Sequence, residues 1–257
     1  MKTKNIFKST FITAILIGST LFAGAQITGG TQTELFDLYV MGDFEKCYDK
    51  AYKMTEKDNT KYESEPYLWA AMSLLRISED PELREVEEYE DAIKDAIKLA
   101  AKFKKRDDRL KDKEQPFLFD DNQIIVDEFK ALAIAEARGY FVQDDYRKAA
   151  YYMRYGLRID EEDPSMEIFK GIADVLSRNK RVGLDHIENA LKKFQKMAET
   201  GSFEANEATY PAFETGFIHY AKYLKENDEV AEAAEVIALA RKLDPENKQF
   251  ENLAETL

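Results

Sequence analysis

Five times in this chain a small residue stands inside a short apolar frame whose members recur at offsets of three, four and three residues. The frames are Phe44–Cys47–Ala51–Met54, Tyr89–Ala92–Ala96–Leu99, Tyr146–Ala149–Met153–Gly156, Ile187–Ala190–Phe194–Met197 and Val230–Ala233–Ile237–Ala240. Those offsets keep each set on one helical stripe. A small second member lets a neighbouring helix come close, while its larger partners fill the flanks. One such stripe would carry little weight. Five of them, each preceded by another short helix, predict a helical repeat array in which every unit packs mainly on its neighbours.

The rest of the chain agrees. It is rich in good helix formers, holds only 11 Gly and 6 Pro in 257 residues, and lacks alternating β-branched runs joined by Asn-Gly turns, so a sheet is not expected. The formal charge of −13 argues against nucleic acid or an anionic membrane surface as partner, since both call for a basic face. The densest basic run, Lys102–Arg106, is followed at once by Asp107 and Asp108.

The first residues read as an address. Lys2, Lys4 and Lys8 precede the apolar stretch Phe11–Phe22, and Ala23–Gly24–Ala25 supplies a small-x-small cleavage site. The apolar core is shorter than the ~20 residues of a membrane span, and a polar segment follows it. A signal peptide over 1–25, a mature chain beginning at Gln26, and export with the periplasm as first destination and secretion as second are the expectations. No stable membrane insertion is expected after cleavage. The single cysteine, Cys47, fills the small-residue slot of the first frame and reads as a packing thiol.

Five helix pairs follow from the pattern. The first runs from about Thr33 to Met41 and on to about Lys57. The second has Tyr67–Ile77 and a longer partner from Glu82, whose pattern allows an extension through the charged stretch as far as Pro116. The third covers Ile124–Phe141 and Asp144–Arg158, the fourth Ser165–Ser177 and Gly183–Glu199, and the fifth Asn206–Lys225 and Asp228–Leu243. Asn247–Thr256 is expected to cap the end. A division into pairs one and two (26–115), a linker (116–123) and pairs three to five with the cap (124–257) follows from the long interval before the third frame.

The fifth unit, TGFIHYAKYLKENDEVAEAAEVIALARKLDP, resembles a tetratricopeptide repeat (TPR) over its whole length, with Ala221, Leu224, Val230, Ala233, Ile237, Ala240 and Pro245 in the family's positions. The third unit is similar through Ala137, Tyr140, Tyr146 and Ala149, although Pro164 arrives three residues late. The first matches through Gly42, Phe44, Cys47 and Ala51, and the second and fourth match less well. The small-residue anchors Cys47, Ala92, Ala149, Ala190 and Ala233 are 45, 57, 41 and 43 residues apart, against about 34 in that family. HEAT and armadillo repeats are nearer in length, but the Gly-Asp-aromatic turn and the Leu-Asp-Pro ending favour tetratricopeptide ancestry. The resemblance implies an all-α, right-handed α-solenoid of about five TPR-like helix pairs with a C-terminal capping helix.

No chemical constellation emerges. Phosphate loops, zinc helices and nucleophile elbows are missing from the sequence. Asp160–Asp163 lacks the alternation and Gly of a calcium loop. Asp120, Asp121, Asp127 and Glu128 suit a helix start, and His186 reads as a surface or half-buried histidine. No enzyme activity, cofactor or metal is therefore expected. What remains is binding: in such arrays the first helix of each pair lines a concave groove. The family register implies Leu68, Met72 and Leu75, then Ile134, Arg138 and Phe141, and then Ile218, Lys222 and Lys225 as groove candidates. The cations are the better of these, because they can grip carboxylates. The family's two-lysine, two-asparagine clamp is not reproduced, so a C-terminal carboxylate ligand is not implied. Two functions are expected to compete: a protein–protein scaffold of the bacterial envelope, and a module that captures peptide or glycan for an envelope machine.

Overall fold

The computed structural model describes residues 27–257, all-helical with no strand among them. The signal-peptide reading of residues 1–25 lies outside the described residues. Eleven α-helices pack in neighbouring pairs: α1 (Thr33–Val40) with α2 (Phe44–Glu56), α3 (Glu65–Glu79) with α4 (Ala92–Lys111), α5 (Gln123–Val142) with α6 (Tyr146–Ile159), α7 (Pro164–Leu176) with α8 (Lys180–Thr200), and α9 (Tyr210–Glu226) with α10 (Val230–Leu243). The last helix, α11 (Lys248–Thr256), closes on α10 and α9.

The small-residue frames do what their spacing predicts. Cys47, Ala96, Ala149, Ala190 and Ala233 all have no exposed surface. Val230 is the exception: at the first position of α10 it is exposed. The fourth pair crosses most closely. A Cβ on Gly171 would stand 2.8 Å from the Gly183 carbonyl oxygen, and one on Gly183 would stand 2.5 Å from that of Gly171, so only glycine fits at this crossing.

Four of the five pairs share one turn. Gly42, Asp144, Arg178 and Asp228 have positive φ and each stands two residues before the second helix of its pair. At each, the residue's own amide donates three residues back and the next amide donates five residues back, as Asp144 to Phe141 and Asp145 to Tyr140 do. This double bond closes the carbonyl end of the first helix and sets the angle at which the chain returns. The second pair lacks this turn. Instead of a helix from Glu82, it has two 3-10 turns, Leu83–Glu85 and Glu87–Tyr89, separated by the extended backbone of Val86, and α4 begins only at Ala92.

The turns out of the third and fifth pairs also match. Ile159–Asp160 and Leu243–Asp244 lead after equal intervals to Asp163 and Asn247, whose side chains accept amide hydrogen bonds at the starts of α7 and α11. Pro164 therefore opens α7, where its missing N–H costs nothing. It has no structural equivalence to Pro245.

The 116–123 segment is held to both sides. The Asp107 carboxylate on α4 is 1 % exposed. It accepts from the Leu118 amide at 2.9 Å, the Phe119 amide at 2.8 Å and the Ser64 hydroxyl at 2.7 Å. The Asn122 side chain exchanges two hydrogen bonds with Thr28, and α4 packs on both α5 and α6. Ahead of α1, the Thr31 and Gln32 amides and the Trp69 indole donate to the buried Glu65 carboxylate.

Candidate functional site

The register-derived candidates separate by chemistry. Leu68, Met72, Leu75, Ile134, Phe141 and Ile218 are all buried, none more than 8 % exposed. They pack between helices and present no apolar groove to a ligand. Phe141 meets Phe169 and Tyr146 edge-on and, at 4.7 Å between ring centres, His219. Of the cations, Arg138 on α5 and Lys222 on α9 are exposed and both bear on His219. Lys225 is otherwise engaged: its ammonium donates to the Thr256 carbonyl at the end of α11, a favourable place for a cation. Burial first, and then Lys222 and Arg138, push the His219 pKa down to about 4. The imidazole is therefore neutral at pH 7, with one cation near it on its own helix and another on α5.

The residues considered for chemistry have structural surroundings. The Cys47 thiol is fully buried and donates to the Leu35 carbonyl at 3.4 Å, and burial pushes it up to about 11, far from a reactive thiolate. His186 is half-buried with Nδ1 3.5 Å from Glu167. Asp160 pairs with Lys130 at 3.2 Å, and Asp163 caps α7.

A larger feature lies where α4 meets α6. Lys98, Lys102, Lys105 and Arg109 recur at offsets of four, three and four residues along α4, so they form one stripe. With Tyr155 and Arg158 of α6 they line a cleft of about 630 Å³. The acids that neutralise this run in the linear sequence do not neutralise it in space. Asp107 is nine residues from Lys98, about half a turn out of phase, and points inward to the loop amides described above. Asp108 stands at the rim and is paired with Lys104. Among the described residues, Lys102, Lys105, Arg109, Arg154 and Arg158 form no ion pair, whereas Lys98 pairs with Asp95 at 2.8 Å. The aromatic rings serve as supports: Arg154 lies 5.2 Å over Tyr151, and Arg158 lies 5.0 Å over Tyr155. Such contacts leave the guanidinium edges free to donate. A local basic face is thus present on a chain of net charge −13, and its signal in the sequence is the helical spacing of the lysines.

No family model matches the chain, and no curated protein matches it. No helix among the described residues is long and apolar enough to cross a membrane.

Proposed function

We propose that this chain is a non-enzymatic protein–protein interaction scaffold of the bacterial cell envelope, exported by cleavage before Gln26 and built as a right-handed TPR-like array. The repeated interhelical turn and the packing of first helix on first helix, α7 on α9, support the repeat reading. One observation carries the binding reading: the Phe141 and His219 rings stand 4.7 Å apart, which brings the exposed Arg138 and Lys222, from two different repeats, into the neighbourhood of one imidazole. Two exposed cations beside a neutral imidazole suit an acidic segment of a partner protein.

The test is site-specific photo-crosslinking from Arg138 and Lys222 in the native host, with Arg138→Glu/Lys222→Glu as comparison. The scaffold reading expects a discrete partner that the charge-reversed chain loses. Retention of the same partner by the reversed chain, or no crosslink from either position, refutes it.

The capture reading has its own support. The apolar groove candidates are buried, while the α4–α6 cleft, open to solvent and about 630 Å³ in volume, is of a size to hold a small ligand.

A further inference from the structure

We infer that the α4–α6 cleft is a binding site for a compact phosphoryl-bearing ligand carrying two or more negative charges. The inference rests on the capture reading of this cleft, and it replaces peptide or glycan with phosphate chemistry.

The charge count sets the ligand. Five cations line the cleft, Lys98, Lys102, Lys105, Arg109 and Arg158, against two acids, Asp108 and Glu161. Asp108 is already bonded to Lys104, and Lys98 to Asp95. A single carboxylate brings one charge and two oxygens, and would leave most of these donors unmatched. A phosphoryl group brings about −1.5 to −2 charges and three acceptor oxygens, and a diphosphoryl group matches the local excess. Arg109 and Arg158 offer planar forks that suit such oxygens, and Lys102 and Lys105 offer point charges between them. Tyr155 lines the cleft and holds the Arg158 guanidinium over its ring, so that the guanidinium edge faces the ligand.

Size and surroundings select against a polymer. A volume of about 630 Å³ falls in the range of small-ligand sites, about 300–1,000 Å³. The chain as a whole carries a charge of −13. A compact polyanion stays within about 10 Å of the cations, the screening length near 0.1 M salt, whereas most of a long one would lie beyond them on a chain of net negative charge. The site is made by second helices of two successive pairs, and it shares no residue with the Arg138–Lys222 area.

The purified protein is titrated calorimetrically with inorganic pyrophosphate and with a poly-glutamate peptide, and sedimented with vesicles of phosphatidylcholine with or without phosphatidic acid. The comparison chains are Lys105→Ala/Arg109→Ala/Arg158→Ala and Arg138→Ala/Lys222→Ala, each checked by circular dichroism. All five side chains are exposed, so both variants are expected to fold. Saturable pyrophosphate binding that weakens at least tenfold in the cleft variant and is unchanged in the Arg138/Lys222 variant supports the inference. Co-sedimentation with the phosphatidic acid vesicles alone, lost in the cleft variant, supports it too and gives a lipid phosphomonoester headgroup as the source. Pyrophosphate binding without vesicle binding gives a soluble phosphate compound. Failure of both phosphate probes, or equal binding by the parent and the cleft variant, overturns it. Tighter binding of poly-glutamate than of pyrophosphate also overturns it while leaving the capture reading in place.

Discussion

Replacement of Asp107 by Ala should damage the fold more than any surface charge change in the same helix. The carboxylate is buried and accepts from three donors, the Leu118 and Phe119 amides and the Ser64 hydroxyl. Ser64 and Leu118 are themselves buried, at 2 % and 7 % exposure. Each buried donor left without an acceptor costs about 1–3 kcal/mol. The hydroxyl can rotate to another partner and water can enter beside Phe119, so the two amides set the scale, and a loss of about 3–5 kcal/mol is expected. Against a total stability of about 5–15 kcal/mol that is a large share. Asp107→Asn should cost less, since its remaining oxygen still accepts from one amide while its NH₂ faces the other donors. The damage should begin locally, because Phe119 packs on Phe103 with ring centres 6.3 Å apart and would be released with the loop. Urea denaturation gives the magnitude, and amide exchange at Leu118 and Phe119 gives the location. A loss below about 1 kcal/mol for Asp107→Ala, or unchanged protection of those two amides, would refute the account of how the 116–123 segment is held.

Two further outcomes concern the packing and the inner face. Ala233 has no exposed surface on α10, so Ala233→Arg should cost about 3 kcal/mol or more through overpacking and a buried charge, and a thermal melt matching the parent would show the repeat register to be misassigned. His219 has its pKa lowered in the folded chain to about 4, so the unfolded chain binds its proton more readily. Its contribution to stability is present above about pH 6.5 and is lost as pH falls toward 4, by at most about 3 kcal/mol. Urea midpoints at pH 7 and 4.5 should therefore fall less in His219→Phe than in the parent, and parallel falls would remove His219 as the cause.

Helices whose apolar stripe repeats every turn were legible in the sequence, and their small residues are buried as the spacing requires. Two kinds of feature were not. The break at Leu83–Tyr89 is hidden because Tyr89 keeps the stripe's phase while sitting in a 3-10 turn, and Tyr89 is buried there all the same. The burial of Leu68, Met72 and Leu75 does not follow from the family register, which assigns faces without asking what covers them. The run EPYLWAAMSLL is apolar nearly all round, which marks a helix enclosed by its neighbours, and α3 is buried at every position from Glu65 to Leu75. Leu110 and Lys111 end α4 where the linker reading placed a boundary, but the boundary is covalent only: the carboxylate one turn earlier ties the next segment back. Reading the charges in linear order had the same weakness, since Asp107 and Lys105 are neighbours in sequence and face different surroundings in space.

The cationic stripe on α4 is hard to account for as a stabilising device. Like charges three or four residues apart on a helix oppose its formation by about 0.2–0.5 kcal/mol per pair, and Lys102–Lys105 and Lys105–Arg109 are two such pairs. The chain has 50 acidic residues against 37 basic ones, so acids for pairing are plentiful. Elsewhere they are used: Lys94 pairs with Asp91, Lys98 with Asp95, Lys130 with Asp127 and Asp160, and Lys193 with Glu162 and Glu167. At the cleft the same helix instead aims one aspartate into the core and binds the next to Lys104. The local arrangement concentrates unpaired positive charge at the place where α6 adds Arg158 and its supporting Tyr155. A bound anion would relieve that repulsion as well as make its own contacts. Ligand binding at this cleft should therefore raise the thermal midpoint of the parent by mass action, whereas the cleft variant, left with Lys98 and Lys102, should gain much less from the same ligand.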